Sequence, residues 1–80
     1  METPQGWEMK EGKLVRSYVF VDFGQALAFI NKVSIVAERL QHHPEIWNVY
    51  NKVKLTLSTH DAGNKVTDKD LTLAEAINML

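Results

Sequence analysis

The sequence contains no cysteine, so neither a disulfide framework nor thiolate chemistry is open to it. An excess of one charge sign is also missing. Nine Lys and Arg against ten Asp and Glu leave a net charge of −1, which argues against a partner bound by broad phosphate neutralisation, and no direct nucleic-acid binding is expected. No apolar run approaches the roughly 18 residues that a membrane span needs, so no membrane role is expected either. The opening Met-Glu-Thr-Pro-Gln-Gly is polar and acidic, unlike a signal peptide. With the lack of cysteine, it points to a cytoplasmic location. There is no internal repeat, linker or low-complexity segment, and no serine or cysteine nucleophile motif, phosphate loop or cofactor fingerprint.

What is present is an ordinary globular composition, 45% hydrophobic and 24% charged. Residues 1–80 are expected to form one domain. A chain of this size buries only about 60% of its unfolded surface, so help from a second subunit is plausible. Residues 7–9 and 14–21 read as two strands around Lys10-Glu-Gly-Lys13, where Gly12 can take the positive φ of a tight hairpin. Val15, Ser17, Val19 and Val21 project to one side, and Leu14, Arg16, Tyr18 and Phe20 to the other. Neither side is fully polar, which points towards a homodimer or homotetramer.

Asp22 is a good helix N-cap, with Gln25 at the capping-box position. Ala26, Phe29, Ile30, Val33, Val36, Ala37 and Leu40 then recur at helical spacing. Pro44 disfavours helical geometry at His43, so the helix ends near Gln41 or His42. Residues 45–50 form a short strand. From Lys52 the alternation is clean, with Val53, Leu55, Leu57 and Thr59 facing one way and Lys52, Lys54, Thr56, Ser58 and His60 the other. Gly63-Asn64 suits a chain reversal. Thr67 caps a second helix, with Asp70 at the reciprocal capping position and Leu71, Leu73, Ala74, Ile77 and Leu80 as its apolar side. The expected class is α+β, a four-stranded antiparallel sheet with two helices on one face.

All three histidines lie between Glu38 and His60. His42 and His43 sit at a helix end, and His60 at a strand end. A fold that sets these ends side by side gathers three rings that titrate near neutral pH. Three imidazoles can hold zinc, yet adjacent His42 and His43 point apart in regular structure and no fourth ligand is evident, so no metal is expected. Asp70 is explained equally well by its capping box or by a site role, and the two can coexist. Glu38 reads as a helix-terminal acid able to support a histidine. Trp47 and Tyr50 can line a flat ligand or fill core. Lys52 and Lys54 read as a solvated strand face.

Glu38, three spacers, His42-His43-Pro44, the aromatic Tyr50 and His60 ten residues further on, with Asp70 beyond, resemble the pterin-4a-carbinolamine dehydratase family. Gly6-Trp7, Phe20-Val-Asp-Phe23, Asn48-Val-Tyr-Asn-Lys-Val53, Ser58-Thr-His60 and Leu73-Ala74 extend the likeness across nearly the whole chain. Two departures stand out: the helix that such proteins often carry ahead of the Gly-Trp has no counterpart, and the chain stops after Leu80. The resemblance implies dehydration of a 4a-hydroxytetrahydropterin to the quinonoid dihydropterin without metal or organic cofactor. This step recycles the pterin of aromatic amino acid hydroxylases. It implies a catalytic set of His42, His43, His60 and Asp70, with substrate contacts from Gln41, His42, His43, Ser58, Thr59, His60 and Asp61. It also implies homo-oligomers and, as a rival role, a protein partner such as a hydroxylase or a transcription factor, the chain then serving as a dimerisation module.

Overall fold

The computed structural model describes residues 2–80. The loose end expected over residues 1–6 begins at Met1, which lies outside the described residues. The elements run β1 Glu8–Lys10, β2 Lys13–Val19, α1 Phe23–Leu40, β3 Glu45–Val49, β4 Lys52–Leu57, a single 3₁₀ turn His60–Ala62, and α2 Asp68–Asn78. The strands form one antiparallel sheet in the order β1-β2-β4-β3. Both helices cover one face of it, so the architecture is α+β.

Alternation along the strands decides which face is covered. Leu14, Arg16 and Tyr18 of β2 stand opposite Leu57, Leu55 and Val53 of β4, and these side chains point to the helices. Ala26, Val33, Val36 and Ala37 of α1 and Leu73, Ala74 and Ile77 of α2 close over them, all buried. Such a core side chain is worth a large share of so small a fold, since truncating a buried Leu to Ala costs about 2–5 kcal/mol. Trp7 is buried as well and covers one end of the core. The other face of the sheet carries Val15, Ser17, Val19, Trp47, Val49, Lys52 and Lys54, and among the described residues no helix covers it.

Several boundaries differ from the periodicity. β1 starts at Glu8 rather than Trp7, and β2 stops at Val19. Phe20 leaves the ladder, but its backbone N–H still donates to the Asn51 carbonyl at 2.8 Å. The β1–β2 hairpin turns on Glu11 and Gly12, both at positive φ (52° and 80°), as a two-residue type I′ turn requires. Two residues of the expected apolar stripes stay partly in solvent, Leu40 at 39% and Leu80 at 48% exposure. Leu40 ends α1, and Leu80 lies two residues beyond the end of α2.

The end of α1 is the detail that matters for function. Without a glycine there, Gln41 itself adopts the left-handed conformation (φ 52°, ψ 43°). Its N–H donates to the Glu38 carbonyl at 3.2 Å, and the His42 N–H reaches back to the Ala37 carbonyl at 3.1 Å. This pair of bonds is a Schellman closure, usually built on glycine. It turns the chain sharply, so that His42 leaves the helix heading for α2 while Pro44 keeps His43 extended.

Candidate active site

Asp70 is the centre of the site and is fully buried. As the third residue of α2, it accepts the Thr67 N–H on Oδ2 at 2.9 Å, completing the capping box. The same oxygen accepts the Thr59 hydroxyl at 2.7 Å, and Oδ1 meets His42 Nε2 at 2.6 Å. A buried carboxylate is tolerable only when such donors surround it. Thr59 spends its one hydroxyl hydrogen on Asp70, so the Thr67 hydroxyl, 2.6 Å away, must donate to Thr59. Every proton in this chain thus runs towards the carboxylate. The cap and the histidine contact coexist on one side chain, each using its own oxygen.

The direction of these bonds sets the chemistry of His42. An ionised carboxylate only accepts, so the His42 Nε2 carries the hydrogen and Nδ1 is the nitrogen left to exchange protons. Among the described residues Nδ1 has no hydrogen-bond partner. His60, the first residue of the 3₁₀ turn rather than the last of a strand, shows the opposite arrangement. Its Nδ1 lies 3.3 Å from the Asn64 amide oxygen, which accepts, leaving Nε2 without a partner among the described residues. The reversal that sets Asn64 in place passes through Gly63 and Asn64, both at positive φ. His43 Nε2 meets Glu38 Oε1 at 2.7 Å. Both partners are mostly in solvent, so this pair orients a ring and contributes less than about 1 kcal/mol to stability.

These groups share a cleft of about 300 Å³ lined by Gln41, His42, His43, Ser58, Thr59, His60, Asp61 and Lys69. The structure therefore brings together the α1 end, the β4 end and the start of α2. Two of the expectations need correction. Trp47 lies on the uncovered sheet face, paired with Lys54, and Tyr50 sits at the β3–β4 turn; both are exposed, so they neither line the cleft nor fill core. The placement of Trp47 follows from register: residue 47 shares the phase of 45 and 49, which faces away from the helices. Tyr50 lies past the end of β3, in the turn at positive φ (51°). Lys69 was missed. It follows the Thr67 cap by two positions, and only the docking of α2 against α1 shows that it reaches the histidines. The other missed feature is the role of Thr59, whose place on the apolar phase of β4 was a clue, because a hydroxyl there must find a buried partner. No group of three or more His, Asp or Glu side chains converges as a metal site among the described residues.

A family model described as pterin 4 alpha carbinolamine dehydratase matches residues 1–80. The chain belongs to this family. It is 45% identical over 82 residues to a protein of Rhodopseudomonas palustris provisionally named a pterin-4-alpha-carbinolamine dehydratase, covering 100% of this chain and 80% of the relative. A relative with the same provisional name from Thermomicrobium roseum is 47% identical over 72 residues, covering 90% and 76%. Among solved structures, a transcriptional coactivator/pterin dehydratase from Brucella melitensis superposes with a TM-score of 0.85 at 39% identity, covering 94% of this chain and 81% of that one. A pterin dehydratase-like protein identified as a RuBisCO assembly factor in the alpha-carboxysome shares the fold at 17% identity, with a TM-score of 0.77 and coverage of 98% and 92%.

Proposed function

We propose that this member of the dehydratase family removes water from a 4a-hydroxytetrahydropterin, giving the quinonoid dihydropterin by acid–base catalysis. The observation that carries the reading is the pairing on one cleft of two histidines whose free nitrogens are set by different partners, His42 by Asp70 and His60 by Asn64. In the substrate, C4a bears the hydroxyl and N5 bears a hydrogen. Loss of water breaks the C4a–O bond and forms C4a=N5. It needs one proton delivered to the leaving hydroxyl and one taken from N5. A protonated ring supplies the first and a neutral ring receives the second. Positioned proton transfer of this kind is worth typically 10²- to 10⁴-fold. Afterwards the rings restore their charges by exchange with water.

His42 and His60 are the acid–base pair in this reading, His43 orients the pterin, and Asp70 acts through His42 as a positioning residue. Gln41, Ser58 and Asp61 supply polar contacts to the ring, while the Thr59 hydroxyl is committed to Asp70. No metal or organic cofactor takes part in these steps, so activity is expected to survive chelators. The test is dehydration of chemically generated carbinolamine by wild type and His60→Ala side by side. The expected result is a clear loss in the variant; equal rates would overturn the reading.

The second reading, a binding or dimerisation module, is favoured by the uncovered sheet face. Val19, Val49 and Trp47 are 73%, 55% and 48% exposed there, and apolar surface of this kind often marks an interaction site. We propose that the protein forms a homodimer or homotetramer, which is compatible with catalysis. Sedimentation at micromolar concentration showing only a 9.1 kDa species would reject the assembly.

A further inference from the structure

The face of the sheet opposite the helices carries two hollows that meet at Lys54. One, of about 220 Å³, is bounded by Ser17, Val19, Trp47, Lys52 and Lys54. The other, of about 370 Å³, is surrounded by Lys10, Lys13, Lys54, Thr56, Glu11 and Glu45. Strand register explains the division. Trp47, Lys54 and Ser17 stand side by side across β3, β4 and β2, and the next row towards the β3–β4 turn is Val49, Lys52 and Val19. In the opposite direction the row is Glu45, Thr56 and Val15, with Lys13 and Lys10 beyond it. One half of the trough is therefore flat and apolar, and the other is cationic.

The charges on this face are not balanced. Lys13 is held by Glu45 at 3.3 Å, whereas Lys10, Lys52 and Lys54 form no ion pair among the described residues. Lys10 also stands directly opposite Lys13 across the hairpin, a like-charge pair that destabilises a ladder and that an anion would relieve. The Lys54 Nζ lies 6.0 Å from the centre of the Trp47 ring, at the outer reach of a cation–π contact, so its charge is left for another partner. Trp47 and Val19, both exposed, offer an apolar wall. We propose that this trough is a ligand site, separate from the catalytic cleft, for a flat aromatic ring bearing one anionic group. The ring lies against Trp47 and Val19, and the acid group reaches Lys54, Lys10 and the Thr56 hydroxyl. Glu8, Glu11 and Glu45 on the same rim act against a polyanion, which selects a small acid over a nucleic acid. Together the hollows reach the scale of a small-ligand pocket. Such a site deepens the binding reading of the uncovered face and does not depend on catalysis at His42 and His60.

The experiment titrates 2-naphthoate and its neutral counterpart 2-naphthamide into the full chain, followed by proton–nitrogen NMR and calorimetry. Of the two tryptophans, Trp7 is held by Asn78, so the Trp47 indole signal reports the site and that of Trp7 serves as a control. 2-Naphthoate is expected to move the Trp47 indole signal and the backbone signals of residues 52–56 saturably, leaving Trp7 still. The neutral amide is expected to bind about tenfold more weakly, the worth of hydrogen bonds to charged groups. Lys54→Gln is expected to weaken 2-naphthoate about threefold and to leave the amide unchanged. Trp47→Ala is expected to weaken both ligands about three- to tenfold. Both residues are exposed, so the variants are expected to fold, as circular dichroism will check. Affinities of the two ligands within about twofold of each other, shifts confined to residues of the catalytic cleft, or wild-type affinity in both variants overturns the site. Dehydration of carbinolamine and sedimentation are read separately, so each of these results leaves the dehydratase and assembly readings standing.

Discussion

The two ends of the molecule solve the same structural problem with different chemistry. At one end Asp70 gathers Thr59, Thr67 and His42. At the other, Asn78 of α2 gathers the N-terminal segment and β2: its Oδ1 accepts Trp7 Nε1 at 3.0 Å and Arg16 Nη1 at 2.7 Å, and its amide donates to the Gln5 carbonyl at 3.0 Å. Both clusters join segments far apart in sequence. In the Asn78 cluster both sides of the amide are spent on neighbours, and the asparagine carries no charge. In the Asp70 cluster a buried carboxylate holds a ring whose second nitrogen is left unspent beside a cleft. The first arrangement can only hold. The second can hold and also move a proton.

Substitutions that interrupt each cluster separate these two roles. The largest effect is expected for Asp70→Ala, which strands the Thr67 N–H, the Thr59 hydroxyl and His42 at once. Breaking a buried charge pair from one side costs about 3–5 kcal/mol. A domain this small has on the order of 4–12 kcal/mol in all, by the per-residue average. Urea titration should show a markedly lower midpoint, with activity lost. Asp70→Asn is subtler. Its oxygen can still accept from Thr67 and Thr59, but its NH₂ would face His42 Nε2 and force the hydrogen onto Nδ1. A folded protein with kcat reduced about 10²- to 10⁴-fold is expected, and nitrogen NMR of His42 should show the switched tautomer.

At the other end, Asn78→Ala leaves the buried Trp7 indole N–H without its acceptor and frees Arg16. The expected cost is about 1–3 kcal/mol in thermal or urea unfolding, with kcat and KM unchanged. A loss of activity in folded Asn78→Ala would break the division between the two ends. The smallest effect concerns Tyr18, whose ring lies under the Arg16 guanidinium at 4.8 Å and whose buried hydroxyl has no partner among the described residues. Burial raises its pKa, with Arg16 opposing the shift. The folded protein therefore binds this proton more tightly than the unfolded chain, whose tyrosines titrate near pH 10. The contribution to stability is intact below about pH 10 and is lost as pH rises through the folded pKa. Tyr18→Phe is expected to remove that alkaline step and to leave neutral-pH stability equal or higher by up to about 1 kcal/mol.

Much of the fold could be read from residue order because single elements carried strong, consistent signals. The apolar spacing from Ala26 to Ala37, the Asp22 cap and Pro44 bounded α1 within one or two residues. The alternation from Val53 to Leu57 identified β4 and its buried face. The Thr67–Asp70 pair announced the start of α2. Trp47 was harder, because β3 is an edge strand with mixed residues on both phases, and only pairing with β4 shows which phase meets the helices. Tyr50 sits past β3 in the turn at positive φ, a conformation its side chain does not announce. Gln41 as a left-handed cap was hidden too, since that conformation usually announces itself with glycine. The meeting of His42, His43 and His60 at one cleft could be expected from chain ends alone. The place of Lys69 on the cleft depends on how α2 docks and leaves no trace in the residue pattern.

The central claim is that His42 and His60 act together on one substrate. Its most direct test is kcat for His42→Ala, His60→Ala and the double variant, with circular dichroism to establish folding and chemically generated carbinolamine as substrate. Each single change should lower kcat. The double variant should fall less than the product of the two single losses, because groups acting as a unit are non-additive. His43→Ala should act mainly on KM. A folded double variant with wild-type kcat would contradict the account and leave the binding-module reading ahead.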